Sequence, residues 1–599
     1  MFAKKRRHRY LRPLLTGRKA WAYRGFAVIW LAATAYFWIW WLQPGNITSV
    51  ILFTMATVPL VWIYLLQAYF MWVMLGARVP ASPAPQLGRY RVAMITTKTP
   101  SEPFAIVRRT LEAMLAQDYP HDTWLADEDP SEDTLAWCAA HGVNVSTRKG
   151  RADYHRPVWP RRTRCKEGNL AFFYDHWGYR DYDIVSQLDS DHVPQPGYLI
   201  EMLRPFDDYG VGYVSAPSIC SANARESWAA RTRLYVESAF HGALQTGYTG
   251  VLAPMCIGSH YAVRTFALRT SGGLGPELAE DHSTTMLMNS TGWKGVHAID
   301  AIAYGDGPAT VSDLATQEFQ WSRSLLSLLL WHTSRYLSGM PFRLRFLFVF
   351  CQLWYLIFAL TTALMYVLPL IALGLDRSFA NVSYPAFVGH ALPTMLVITV
   401  FVYRIRRDGL LRPYDAPVIS WEKALFLLLQ WPWVLWGITM AIVDRLRGGF
   451  VDFRITPKGE NAVRSLPWRV LLVYIGLALG CLLPVLILGG STDAAGFYLL
   501  VLLNGLAYSV LVAVIVFQHL RTNGFLRGAR LGNAFLQISA VAGLFVVMIG
   551  GFMERGNEGF GALTSGMAPF HLMQREFAVS GAGSGDQRRI SYRFDPGWN

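Results

Sequence analysis

Asp183-Ile-Val-Ser-Gln-Leu-Asp-Ser-Asp-His-Val-Pro194 decides how the chain is read. An apolar run ends in two aspartates one residue apart, Asp189 and Asp191, and Pro194 and Pro196 stop it. This predicts a short buried strand that delivers two carboxylates to a loop edge. Hard oxygen donors at a strand end suit Mg²⁺ or Mn²⁺ carrying a diphosphate. A solvated turn has the same pattern, so the surrounding chain has to choose between them.

The 599 residues are 52% hydrophobic and 14% aromatic but only 16% charged, whereas soluble domains carry about 25% charge. That composition predicts a membrane protein with one polar insert. The net charge of +14 invites a nucleic-acid reading. However, the basic residues crowd beside apolar runs, as in Lys4-Lys-Arg-Arg-His-Arg9 and Arg404-Ile-Arg-Arg407, which is the positive-inside pattern, and no nucleic-acid partner is expected. Six cysteines without Cys-x-x-Cys spacing read as thiols. The basic N-terminus, 1–25, runs into two apolar stretches with no small-residue cleavage site between them, and so reads as an anchor.

Working outward, 26–76 should form two transmembrane helices joined at Pro44-Gly-Asn46, and Ala81-Ser-Pro-Ala-Pro85 is a linker. From 88 to 312 strand-like runs (91–97, 183–188, 211–215) alternate with helical stretches such as 104–117, which predicts a mostly parallel α/β sheet with its functional loops at the carboxyl edge. An interfacial helix region is expected over 313–343, membrane helices and an interfacial helix over 344–446, a cytoplasmic loop over 447–469, membrane helices over 470–553 and a tail over 554–599. Placing Trp421 to Val443 in the interface, where tryptophan is favoured, puts the basic loops 445–469 and 519–532 inside. The count is then seven spans, or eight if that segment also crosses.

Four further clusters stand in the insert. Trp124-Leu-Ala-Asp-Glu-Asp-Pro-Ser-Glu-Asp-Thr134 has an acidic turn after an apolar run, which could equally be a helix start. Arg161-Arg-Thr-Arg-Cys-Lys-Glu-Gly-Asn-Leu170 sets four cations before a helix, either as a solvated face or as a diphosphate cradle. Gly275-Pro-Glu-Leu-Ala-Glu-Asp-His282 places Glu280 and Asp281 at a helix start, as a cap or as a proton acceptor for a substrate hydroxyl. Gln317-Glu-Phe-Gln-Trp-Ser-Arg-Ser324 opens a helix leading to the next span.

In this order the clusters resemble those of the membrane-embedded family-two glycosyltransferases, the cellulose, curdlan and hyaluronan synthases, over roughly residues 24 to 520. The resemblance implies a GT-A (Rossmann-like) cytoplasmic domain inserted in a polytopic helical protein of a bacterial inner membrane. Asp129 matches the contact to the donor's uracil and ribose, and Asp127, Thr97, Glu102, Lys166 and Asp189 are the other implied nucleotide-binding residues. Asp189 and Asp191 match the metal-binding Asp-x-Asp, with Mg²⁺ or Mn²⁺ as cofactor, and Asp281 matches the catalytic base. Glu280, Cys256 (in Met255-Cys-Ile-Gly-Ser259), Gln317, Gln320, Trp321 and Arg323 fall on the acceptor side. Phe453-Arg-Ile-Thr-Pro-Lys458 is similar to the gating loop of cellulose synthase, which marks Phe453, Ile455, Thr456 and Lys458.

The sequence departs from the family pattern at three places. Gln320 stands where relatives carry an arginine that contacts the diphosphate, and Arg323 is the expected substitute. The turn Thr96-Thr-Lys-Thr-Pro-Ser-Glu102 is longer than its counterpart. Gln587-Arg-Arg-Ile-Ser-Tyr-Arg593 faintly resembles the opening of a cyclic-di-GMP-binding domain, but no such domain is expected. The implied activity is inverting, processive polymerisation of a UDP-sugar onto a growing polysaccharide. Membrane lipids and periplasmic export subunits are its implied partners. UDP-glucose is favoured by the gating segment, while UDP-GlcNAc, single transfer to a lipid-linked acceptor and an inactive export scaffold remain as alternatives.

Overall fold

The computed structural model describes residues 10–276, 279–448, 466–491, 493–523, 531–564, 574–578 and 589–593. Strand Ile184–Leu188 lies at the centre of a seven-stranded sheet. The order is Lys294–His297, Val211–Ser215, His260–Arg264, Ile184–Leu188, Val92–Lys98, Asp122–Asp127, Asn144–Ser146. Only His260–Arg264 runs antiparallel to its neighbours, so the expected mostly parallel sheet is observed. Alternate residues serve opposite faces, as strand geometry requires. Val92, Met94, Leu125, Ile184 and Leu188 join one core, while Ala93, Ile95, Trp124, Ala126 and Val185 join the other. Because the sheet is covered on both faces, its strands read as nearly continuous apolar runs.

Among the described residues, eight helices are long and apolar enough to cross a membrane: Gly17–Trp41, Val50–Leu75, Phe342–Leu375, Tyr384–Arg407, Trp421–Arg447, Trp468–Ile487, Gly496–Arg521 and Gly532–Thr564. In the first pair, Trp30 Nε1 donates to Gln67 Oε1 at 2.7 Å and Trp41 Nε1 to Thr57 Oγ1 at 3.0 Å. Strand Leu11–Pro13, before this hairpin, pairs with Arg78–Pro80, after it. Both ends of the hairpin therefore meet on the side of the α/β domain. The last helix runs on to Thr564, beyond the expected end of the membrane region, and the expected tail contains the antiparallel pair Gln574–Ala578 and Arg589–Arg593, which sequence reading missed.

Helix Val311–Leu328 starts at a capping box: the Thr310 hydroxyl accepts from Asp313 N at 3.2 Å, and Asp313 Oδ2 accepts from Thr310 N at 3.1 Å. Helix Trp421–Arg447 follows it in parallel. Trp421 stacks on Trp228 beside Val311, Gln430 donates to Glu318 at 2.7 Å, and Arg445 covers Trp331. At Gly437 the two helices approach so closely that a Cβ would lie 2.4 Å from Phe319 O. Just before this helix, Arg412 binds Ile299 O and Asp300 of the α/β domain, each at 2.9 Å.

Candidate active site

The carboxyl edge of the sheet gathers the acidic clusters. Asp189 follows strand Ile184–Leu188, and its backbone N–H donates to Ser259 O at 2.7 Å, which ties it to the entry of the antiparallel strand. Lys166, the first residue of helix Lys166–Phe173, reaches Asp189 Oδ1 at 2.7 Å and Gly258 O at 2.6 Å. Asp281 comes from the first turn of helix Glu280–Ser290. Its Oδ1 accepts from His282 N at 2.7 Å, and its Oδ2 lies against Gly258, where a Cβ would come within 3.2 Å. Asp189, Lys166 and Asp281 thus meet around Gly258, although nearly a hundred residues separate the first from the last.

Burial raises the Asp281 carboxyl above the usual carboxylate range, while the His282 N–H, Lys166 and Gly258 pull it back. Its neighbour Glu280 points inward, accepts from Tyr261 OH at 2.9 Å, and is pushed up to about 7 by burial, with Lys166 opposing and Asp281 adding to the rise. The adjacent carboxylates therefore differ: one is half-buried at the site and the other is wholly inside.

The Asp-Ser-Asp turn has its own support. Ser190 Oγ donates to Glu102 Oε1 at 2.6 Å, and Thr99 N donates to Glu102 Oε2 at 2.8 Å. Glu102, expected at the nucleotide, is buried and shapes the turn instead. Asp191 is buried beside His192, whose Nδ1 lies 3.2 Å from Asp191 Oδ1. Burial alone would depress His192, but Asp191 and the Cys220 thiol hold it up at about 10. Asp189, Asp191 and His192 each offer a donor atom within 4.8 Å of the others. The two carboxylates fit a divalent ion of the Mg²⁺ or Mn²⁺ class, and His192 could join them only by giving up its proton. His192 lay inside the quoted stretch but was not read as a donor, because a single histidine beside an Asp-x-Asp carries no spacing pattern.

Asp127 is wholly buried, paired with Lys98 at 3.0 Å, and accepts from Asp129 N at 3.0 Å. Thr97 lies half-buried in the neighbouring strand. Asp129 stands at the rim, 2.5 Å from Lys149, whose hydrogen bond and charge lower its carboxyl. Of the basic cluster, Lys166 enters the site. Arg161 pairs with Asp175 at 2.9 Å and lies over Tyr154. Arg161 and Arg164 both take positive φ, 64° and 52°, a conformation that costs energy and that tight functional loops retain. The fully buried Arg148 holds this loop by donating to Tyr154 O and Arg162 O, each at 2.9 Å, and by pairing with Glu128. Sequence reading missed Arg148, since an arginine between a short strand and a glycine reads as solvated.

On the other side, Gln317 accepts from Arg233 Nη1 at 3.0 Å, and the Arg233 guanidinium lies 4.3 Å from the centre of the Trp321 ring. Gln320 is buried in the same helix. Arg323, the expected substitute for the missing arginine, is engaged elsewhere: its Nε and Nη2 bind Asp444 at 2.7 and 2.6 Å. Three residues on from Gln320, it has turned toward helix Trp421–Arg447. Cys256 is buried, with its N–H donating to Thr285 Oγ1 at 2.9 Å. Phe453, Ile455, Thr456 and Lys458 lie outside the described residues.

Residues 184–402 match the family described as "Glycosyl transferase family group 2". That segment is similar to family 2 glycosyltransferases. Cellulose synthase 1 of Komagataeibacter xylinus is 23% identical over 427 residues, and that of Novacetimonas hansenii matches equally. The match covers 70% of this chain but 26% of either relative, so the chain spans about a quarter of their length. Among solved structures, a mannosyltransferase from Pyrobaculum calidifontis, in complex with GDP-Man and Mn²⁺, aligns with a TM-score of 0.43 at 14% identity, covering 70% of this chain and 99% of its own. Glucosyl-3-phosphoglycerate synthase from Mycobacterium tuberculosis aligns with a TM-score of 0.27 at 19% identity, over 42% of this chain and 81% of its own. The described residues thus join a mostly parallel α/β domain, similar in part to family 2 glycosyltransferases, to eight helices long and apolar enough to cross a membrane.

Proposed function

We propose that the chain is an inverting, processive glycosyltransferase that polymerises a UDP-sugar at the cytoplasmic face of a bacterial inner membrane and passes the polysaccharide out between its own helices. UDP-glucose, giving a β-glucan, is the favoured donor because of the Phe453-to-Lys458 segment and the similarity to cellulose synthase. The convergence of Lys166, Asp189 and Asp281 around Gly258 carries the reading. It supplies a cation and metal-ligating carboxylates for a diphosphate, with a separate carboxylate free to take a proton.

In this mechanism Asp189 and Asp191 would hold a divalent ion, which would supply positive charge against the leaving diphosphate. Lys166 adds a second positive charge from a helix N-terminus. Asp281 accepts the proton from the acceptor hydroxyl as the new bond forms on the face of C1 opposite the diphosphate. Trp321 offers the acceptor sugar an apolar platform. Helix Trp421–Arg447 would lie in the membrane interface, since it follows Val311–Leu328 along its length.

The test uses the purified full-length chain with Mg²⁺ or Mn²⁺ and each UDP-sugar, scoring released UDP and product length. Long polymer from UDP-glucose is expected, and long polymer from UDP-GlcNAc alone would change the donor. Single additions to lipid would favour the alternative that Gln320 raises, a non-processive enzyme. No UDP release from any donor would sink the reading.

A further inference from the structure

The acceptor-side helix carries glutamine at 320, and Arg323 is bound to Asp444, yet a guanidinium does stand at Trp321. It comes from Arg233, on helix Trp228–Ala239, 84 residues from its partner Gln317. Its placement is over-determined. Nε donates to both Glu237 oxygens at 3.1 Å, and Nη1 donates to Gln317 Oε1 at 3.0 Å. Glu237 in turn meets His241 Nε2 at 3.5 Å, and His241 Nδ1 accepts from Ser218 N at 3.4 Å. The Arg233 side chain is 12% exposed. Its Nη2 makes no hydrogen bond among the described residues, although a guanidinium so nearly buried ordinarily satisfies its donors.

A cation over one face of an indole holds the ring in orientation and leaves only the opposite face for a ligand. A guanidinium stacks flat on such a face, which an ammonium cannot do. We propose that Arg233 is the cation of the acceptor site: it clamps Trp321 from behind and so presents the opposite indole face to the terminal sugar of the acceptor. Glu237 and Gln317 are positioning residues that hold the fork. The cation that one helix lacks is thus delivered by another, and it serves the acceptor rather than the diphosphate. The proposal rests on the reading of Trp321 as the acceptor platform.

The experiment measures transfer to polymer, UDP release with water as the only acceptor, and UDP affinity, in the full-length protein with UDP-glucose and UDP-GlcNAc. Arg233→Gln, Arg233→Lys and Trp321→Ala are compared with wild type. Arg233→Gln should lower transfer roughly tenfold or more, with UDP affinity held within about twofold and hydrolysis retained. Arg233→Lys should recover little, because a point charge neither stacks nor forks. Unchanged transfer in both variants overturns the proposal. A parallel loss of UDP affinity and hydrolysis also overturns it, by assigning Arg233 to the diphosphate. If Arg233→Gln does not fold, as judged by its melting and UDP binding, Arg233→Lys decides alone on the same ratio of transfer to hydrolysis. If Trp321→Ala leaves that ratio unchanged, the platform reading fails; if Trp321→Ala shifts it while the Arg233 variants do not, only the present proposal fails.

Discussion

Asp189 and Trp321 are held in place by different kinds of structure. Asp189 leaves a strand paired on both sides, is tied by its own backbone to Ser259, and has Ser190 behind it bound to Glu102. Its position follows from the ladder of the sheet. Trp321 stands on a helix packed against other helices, and its setting depends on side chains: Arg233 on one side, and the Gln430–Glu318 and Arg323–Asp444 pairs on another. A sheet edge resists shear through many backbone bonds, whereas helices that meet through side chains shift more readily against one another. The donor side should therefore tolerate distant change and fail only at its own residues, and the acceptor side should feel changes made on helix Trp421–Arg447.

The sharpest break in this contrast is Asp281→Asn, which removes the base and keeps the sheet. Transfer should fall on the order of 10²–10⁴-fold while UDP still binds, as calorimetry would read. Retained transfer would remove Asp281 from its role. Glu102→Ala tests whether the Asp-Ser-Asp turn needs its buried support. Half-saturation by Mn²⁺ should rise roughly 10–100-fold, the usual cost of losing a group that orients metal ligands. An unchanged metal requirement would show that the backbone alone holds the turn. Asp444→Asn reaches the acceptor side from outside it. By freeing Arg323 it should shorten the product and lower transfer a few-fold, on the order of 1 kcal/mol, with UDP binding untouched. An equal loss of UDP binding would erase the distinction between the two sides.

The smallest effect concerns pH. Asp281 accepts a proton only when ionised, so activity falls as pH drops through its raised pKa. Glu280, pushed up to about 7, is already protonated over the acid limb, so Glu280→Gln should leave that limb in place to within roughly a few tenths of a pH unit. A limb that moved down by about a unit would show that Glu280 is ionised beside Asp281.

The donor side was legible because its chemistry sits at strand ends and helix starts, where short sequence runs carry their own punctuation. The expected strand 183–188 is observed as Ile184–Leu188, and 211–215 as Val211–Ser215. Asp189, Lys166 and Asp281 each occupy a position that a local pattern marks. Arg233 and Glu237 are spaced four apart on a helix, a spacing that by itself marks nothing beyond an ion pair. Nothing nearby says that this helix is covered by Val311–Leu328. Glu102 misled for the opposite reason: its position in the first turn after a strand matched a nucleotide contact, but its carboxylate faces Ser190.

Composition and hydropathy by themselves determined that apolar helices flank a polar insert, and apolar runs bounded by proline determined where aspartates leave the sheet. Both follow from near-neighbour rules: burial sets which residues a span or a strand accepts, and a strand end sets where its next side chain emerges. Only the tertiary structure decided which cation reaches Trp321, that Arg323 turns to Asp444, and that Glu102 supports the metal turn. Those choices rest on how one helix lies against another, and the packing of side chains from distant segments decides that geometry.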